Sequence, residues 1–388
     1  MTSRELHPQW GPPPWKIDFT PRAHGVPNEI PREADFAVVG GGFTGLAAAA
    51  WLRRMAPDES VVVLEAGRIG EGASGRTGGL ALAETAAGDA PGLGDVLAGL
   101  RENLAALNVE CDLQLPGAWE IGRDKALADS EIDWQDSGRL RVVHRVPGGT
   151  LDPGKLVSGL ARAASSAGTW IFEDSAVTAV EWGERPVLTV SAGAGGGAAR
   201  QQIRAGKILM ATNALALDLA GETEGMHPRL TLAALSEPLT EEQLQAAGLA
   251  SRKAFYTVDM PYLWGRLLPD NRVIWGAGLV SVSDEKNLDA VDVAAGESAE
   301  KFVWLEKRVR GLHPALAGVR FTQRWGGPIL FRDSWLPVFD WHPAARKAKN
   351  AIVLGAFAGH GVALSSYLGK WAAETFVSGK KLPKWGSL

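Results

Sequence analysis

Phe36-Ala37-Val38-Val39-Gly40-Gly41-Gly42-Phe43-Thr44-Gly45-Leu46 passes from an apolar run through a glycine-rich turn into an apolar segment that continues to Leu52. That order reads as a buried strand, a tight turn and a helix start, the opening of a dinucleotide-binding βαβ unit. Gly40 permits the turn, Gly42 lets the backbone approach a pyrophosphate, and Gly45 lets helix and strand pack closely. The helix start, at Phe43 and Thr44, offers free N–H groups and the positive end of its dipole to phosphates. A second strand, Ser60-Val61-Val62-Val63-Leu64, ends in Glu65. A carboxylate there accepts hydrogen bonds from the hydroxyls of an adenosine ribose.

The glycine spacing alone carries little. With 47 glycines in 388 residues, chance yields about one G-x-G-x-x-G. The pattern in fact occurs twice, at Gly40, Gly42, Gly45 and again at Gly70, Gly72, Gly75. Only the first copy follows a strand and opens a helix. The acidic residue about twenty positions on makes that copy a nucleotide site.

A chain of 388 residues has room for two or three domains and a large core. Its net charge of -4 gives no electrostatic reason to expect nucleic acid or an anionic membrane. The lone cysteine, Cys111, excludes an internal disulfide and a cysteine-rich metal site. The polar, Pro-rich start has no apolar signal core. No apolar run approaches the ~20 residues of a membrane span. These features predict a cytoplasmic protein without a structural metal. Fifteen tryptophans against three tyrosines point to indoles in the core and at domain interfaces, with some lining an aromatic pocket.

Residues 1–32 read as an extended arm, because closely spaced prolines deny helix and sheet. Helices are predicted from Leu93 to Leu107, Asp152 to Ala167, Glu297 to Leu312 and Ala363 to Val377. Strands are predicted at Trp119 to Gly122, Thr169 to Phe172, Ala176 to Trp182, Val187 to Ser191, Gln201 to Met210, Tyr262 to Leu268, Arg272 to Ala277 and Ile352 to Ala356. The Ala- and Gly-rich loop over 192–199 closes a hairpin. The late strand running into Gly359-His360-Gly361 and a final helix returns to the style of the first unit. The expected fold is therefore α/β, with a Rossmann-like domain assembled from separated segments (33–80, 150–225 and 345–380). A β-rich substrate or cap domain (81–149 and 226–344) is inserted between them, and 381–388 form a tail.

Three pieces then fall in one order: Gly70-Glu71-Gly72-Ala73-Ser74-Gly75-Arg76-Thr77-Gly78-Gly79, Arg324-Trp325-Gly326-Gly327-Pro328, and Gly359-His360-Gly361-Val362. With the βαβ unit they resemble the FAD-dependent amine and amino-acid oxidoreductases, the family of D-amino-acid oxidase, glycine oxidase and sarcosine oxidase. The flavour is that of the γ-glutamylputrescine oxidoreductase-like branch, and the resemblance spans roughly 33–380. It implies FAD, with Ala66, Arg68, Ser74, Arg76, Thr77, Gly78 and Gly79 around the cofactor. It further implies that the Val177 backbone meets the adenine and that Thr212 and Asn213 close over the adenine-side phosphates. Gly327, Gly359, His360, Gly361 and Val362 then approach the ring. There a helix dipole favours the negative charge that reduction brings. His360 reads as a turn-former donating a hydrogen bond rather than a general base.

Sarcosine-type members anchor a substrate carboxylate with two basic residues. Here 80–90 hold no Arg or Lys, and the second position is Ala363. No cysteine lies near Gly326 or Gly327, where covalent members carry one. The resemblance thus implies noncovalent FAD and oxidation of the C–N bond of an amine or amino-acid derivative that is not held as a small α-amino acid would be. It implies hydride transfer to the flavin N5, imine hydrolysis, and oxygen or another acceptor taking the electrons. Tyr262, Trp264, Arg266, Trp325 and Phe331 are candidate pocket residues, with Trp264 and Trp325 able to cage an ammonium group. Two other readings stay open: a flavin dehydrogenase of a 2-hydroxy acid, and a non-catalytic flavoprotein module.

Overall fold

The computed structural model describes residues 8–388 apart from 22–26, 28, 193–198, 222–223 and 283–284. The expected arm over 1–32 and the loop over 192–199 therefore lie partly outside the described residues.

β1 (Glu33–Val39) enters the centre of an eight-stranded sheet, followed by α1 (Phe43–Met55) and β2 (Val61–Leu64). β1 pairs in parallel with β2 on one side and with Ala199–Met210 on the other. Trp170–Phe172 extends the parallel sheet beyond β2, and Ala351–Gly355 extends it beyond Ala199–Met210. Val338–Trp341 adds an antiparallel edge, and the strands Ser175–Glu181 and Val187–Ala192 form an antiparallel extension. β2 is buried at every residue, as expected of a strand covered on both faces. α1 packs against Pro153–Ser166 and Gly361–Ser378.

A second eight-stranded sheet runs, in spatial order, through Phe321–Arg332, Met226–Ser236, Val273–Ser281, Leu263–Leu267, Ala254–Thr257, Ala118–Gly122, Arg139–Val146 and Asp133–Gln135. All its pairings are antiparallel except that of Ala254–Thr257 with Ala118–Gly122. The α/β expectation, a Rossmann-like sheet of dispersed segments beside a β-rich unit, describes this architecture. Helix ends differ by a few residues from the sequence reading. Met226–Ser236 and Phe321–Arg332 are strands that the sequence reading does not contain. Pro228 pairs with Leu330 and Pro328 with Leu230 inside that ladder. Prolines and paired glycines conceal such a strand, because they argue against a central ladder position.

The described part of the arm is fastened across the second glycine loop. Trp10 is fully buried beneath the Arg76 guanidinium, 5.4 Å from its ring. The Gly11 carbonyl accepts from Arg76 Nη1 at 2.7 Å, and Trp15 Nε1 donates to the Thr77 carbonyl at 2.7 Å. Ile17 packs on Gly70 and Gly75.

Candidate active site

Between the two sheets lies a cavity of about 1180 Å³. At one end stands the turn from β1 to α1. α1 has Gly42 at its N-cap and no side-chain cap, so its first N–H groups have no helical partner. Phe43 N–H donates to Ser74 Oγ at 2.9 Å, which ties the two glycine loops together. Glu65 Oε2 accepts from Gly41 N–H at 2.6 Å and Oε1 from Gly67 N–H at 3.0 Å. Burial pushes the Glu65 carboxyl up to about 7, helped by Glu71 and Glu173 and opposed by the Gly67 and Gly41 amides. Each of its oxygens keeps a further acceptor direction.

The other end of the cavity meets Gly361–Ser378, whose N-cap, His360, also makes no side-chain capping bond. Burial holds the His360 imidazole below its ordinary value, and its Nδ1 lies 3.4 Å from the Ala358 carbonyl. Two helix N-termini without side-chain caps thus open on one cavity, each with a positive dipole end. A pyrophosphate suits the first and an electron-rich ring edge the second. With the Glu65 carboxylate at the end of β2 keeping acceptor directions free, the donor set fits FAD.

Most sequence candidates meet here. Gly40, Gly42, Phe43, Thr44, Glu65 and Ala66 line the nucleotide end, together with Val177, Thr212 and Asn213. Ser74, Arg76, Thr77 and Gly78 line the middle, and Gly327, Gly359, His360, Gly361 and Val362 the far wall. Asn213 Oδ1 also accepts from Ala356 N–H at 3.0 Å, fixing its loop to the late strand. Gly45, Arg68, Gly79 and Arg266 do not line the cavity. Gly45 packs against the Gly40 carbonyl, and Arg68 forms an ion pair with Glu173.

Arg266 was expected to face substrate, but its Nη1 donates to the Leu151, Gly78 and Gly79 carbonyls while its guanidinium lies over Trp15. Burial lowers it to about 10. It braces the second glycine loop from behind. Arg324, the other arginine near the pocket motif, pairs with Glu306. Cys111 is buried and pushed up to about 12 by that burial. Among the described residues no group of three or more His, Cys, Asp or Glu side chains could hold a metal, and no helix is long and apolar enough to cross a membrane.

Trp325 is fully buried, and its Nε1 donates to the Arg76 carbonyl at 2.8 Å. Trp264 lies between two glycines: a Cβ on Gly78 would stand 2.2 Å from its ring, and one on Gly276 2.0 Å. These indoles occupy one transverse row of the second sheet. Trp325 is opposite Ala233, Ala233 opposite Gly276, Gly276 opposite Trp264, Trp264 opposite Tyr256, Tyr256 opposite Glu120 and Glu120 opposite His144. Residues directly opposite in a sheet share a face, and Trp325, Ala233, Trp264, Tyr256 and Glu120 all line the cavity. Tyr262 and Phe331 line it as well, Tyr262 exposed at its rim.

Sequence reasoning missed Glu84, Glu120, Tyr256 and Ser365, which also line the cavity. Tyr256 OH donates to Glu120 Oε1 at 2.8 Å, and His144 Nδ1 lies 2.8 Å from Oε2. Burial and these carboxylates push the Tyr256 phenol well above its ordinary value. Glu84 stands just past the second glycine loop, so an acidic search of 80–90, rather than a basic one, would have found it.

The DAO family description, FAD dependent oxidoreductase, matches residues 35–375. The chain is 27% identical over 383 residues to a γ-glutamylputrescine oxidoreductase of Escherichia coli strain K12, covering 88% of this chain and 83% of that one. Among solved structures it resembles a glycine oxidase from Geobacillus kaustophilus with a TM-score of 0.67 at 19% identity, covering 90% of this chain and 96% of that one. It also resembles an L-proline dehydrogenase from P. horikoshii with a TM-score of 0.70 at 17% identity, covering 92% and 97%.

Proposed function

The chain belongs to the DAO family of FAD-dependent oxidoreductases, and on that premise we propose that it oxidises the C–N bond of an amine or amino-acid derivative, with FAD held noncovalently. The observation that carries the reading is the cavity itself. It joins an FAD-type cradle to a sheet face rich in indoles and carboxylates, with both of the cations that line it among the described residues engaged. Arg76 Nε donates to the Glu71 carbonyl at 2.9 Å. Lys301 Nζ donates to the Leu279 carbonyl and pairs with Glu297 at 2.9 Å.

When bound, FAD supplies the two-electron acceptor for the hydride leaving the carbon next to nitrogen. Glu65 would accept from the ribose hydroxyls, and the α1 N-terminus with Ser74 would hold the pyrophosphate. The Gly359–Val362 turn would aim its helix dipole at the ring edge, with His360 shaping the turn. Trp264 and Trp325 form the wall that orients the substrate C–H bond and keeps bulk water from the amine. Water readmitted after oxidation hydrolyses the imine to a carbonyl compound and a free amine.

A 2-hydroxy acid would need a cationic clamp for its carboxylate. With both lining cations engaged, the amine reading fits better. The γ-glutamylputrescine oxidoreductase relative is named for an amine substrate, which favours the same choice.

The test is an anaerobic panel of amines, amino acids and 2-hydroxy acids, followed by bleaching of the flavin. Reduction by amines is the expected result. Reduction by 2-hydroxy acids alone would replace the reading, and reduction by none would leave a binding module. Acid precipitation should release the flavin, and colour retained in the pellet would refute noncovalent binding.

A further inference from the structure

The transverse row has two chemically different ends. Trp264 rests on the second glycine loop, beside the region proposed for the ring. Two strands away, through Tyr256, stands Glu120. Neighbouring strands lie about 4.8 Å apart, so the two positions are separated by roughly 10 Å. Just past Leu82, which packs with Ala118 and Tyr256, stands Glu84, a cavity-lining carboxylate with no hydrogen bond or ion pair among the described residues. Burial, then the charges of Glu120 and Asp89, hold Glu84 above the usual carboxylate range. These two carboxylates therefore already repel one another.

A second feature of the same cavity points to a polar ligand. Ser365, 4% exposed on the last helix, has a hydroxyl with no hydrogen-bond partner among the described residues. That helix packs against Leu80–Leu82, the strand that leads into Glu84.

Resting on the amine-oxidase reading, we infer that the cavity reads a second positive charge: the reacting amine lies by Trp264, and a distal ammonium or guanidinium group is held between Glu84 and Glu120 against the Tyr256 ring. The substrate is therefore a diamine, a polyamine or an amine bearing a guanidinium. Tyr256 OH and His144 each engage one oxygen of Glu120. They fix the carboxylate while leaving further acceptor directions toward the cavity. A cation there relieves the Glu84–Glu120 repulsion and meets an aromatic face. A zwitterionic amino acid without a distal cation leaves both carboxylates uncompensated.

The test compares anaerobic flavin reduction by a homologous series of α,ω-diamines with that by n-alkylamines of equal length. A mono-N-acetylated diamine, which keeps the length and loses the distal charge, completes the set. The expected preference for the diamine in rate over substrate Kd is about ten- to a hundredfold, the range for one charge-assisted bond. Glu84→Gln and Glu120→Gln should each reduce that ratio, and the double variant should bring it to about one. Glu84→Gln has no hydrogen bond to lose, so retained flavin colour can certify its fold. Equal reduction of diamine and alkylamine, or a preference that survives the double variant, overturns the inference and leaves the amine-oxidase reading standing. No reduction by any amine overturns both.

Discussion

Gly40-Gly41-Gly42-Phe43-Thr44-Gly45 and Gly70-Glu71-Gly72-Ala73-Ser74-Gly75 share one glycine spacing, and in both the last glycine closes on the first. A Cβ on Gly45 would stand 2.0 Å from the Gly40 carbonyl oxygen, and one on Gly75 2.4 Å from that of Gly70. Gly40 and Gly70 both take positive φ, +107° and +71°. Beyond that closure the loops diverge. The first continues into α1 through Leu46 and a run of alanines, strong helix formers. The second continues through Arg76, Thr77, Gly78 and Gly79 in turns, held from outside by Ile17, Val157 and the arm. The spacing encodes a backbone closure that excludes Cβ, and the flanking residues decide whether it opens a helix or a strapped loop.

Substitutions can break this comparison. Gly45→Ala carries the largest expected effect, because it drives a methyl into backbone between two regular elements. A loss of about 3 kcal/mol or more, read as a shifted urea midpoint, should accompany loss of FAD. Gly75→Ala should cost less, about 1–3 kcal/mol, because an irregular loop yields more readily than a strand–helix joint. Equal losses would show that the strap makes the second loop as rigid as the first.

The Glu65 carboxylate sharpens the nucleotide end. Burial pushes it up to about 7 in the free protein, and in the role proposed above ribose hydroxyls would donate to its charged form. FAD affinity should therefore fall as pH drops below about 7, by up to about tenfold per unit, and Glu65→Gln should flatten that slope. Stability of the FAD-free protein runs the other way. A carboxyl raised from 4.5 to about 7 binds its proton more tightly when folded. Its stabilising contribution is full below 4.5 and is lost as pH rises through about 7. Parallel FAD titrations and urea melts at pH 5 and 8 check both signs.

The smallest expected effect is at Gly72, where a Cβ would meet only Leu215 Cδ1 at 3.9 Å. Gly72→Ala should fall within about 0.5 kcal/mol of the parent. Its counterpart Gly42→Ala would approach Ser74 Oγ at 2.7 Å and disturb the bond to Phe43 N–H.

The β1–α1–β2 end of the cavity was legible because its signals are local: strand, turn, helix and carboxylate lie within Phe36 to Glu65, and each constrains the next. The substrate end was not. Glu120 and Tyr256 become neighbours only because Ala118–Gly122 pairs in parallel with Ala254–Thr257 across more than a hundred residues. No periodicity announces such a pairing. Arg266 illustrates the converse. Its place in a cavity-facing segment suggested substrate, and residues two apart on a strand do share a face, yet its guanidinium is taken by the Gly78, Gly79 and Leu151 carbonyls. Trp264 faces the cavity, and Arg266, two residues on, leans back into the loop behind it.

The arm also has a consequence for the order of assembly. Gln9 and Trp10 are made early, yet Gln9 bonds to the Asp289 carbonyl and Trp10 to that of Leu288, 280 and 278 residues later. Chains emerge amino terminus first, and contacts of such long range form late. The arm can therefore take its final place across the second glycine loop only after Leu288 and Asp289 have been synthesised. Retention of the flavin becomes a readout of completed folding, and pulse-labelled hydrogen exchange should find residues 70–79 among the last to gain protection.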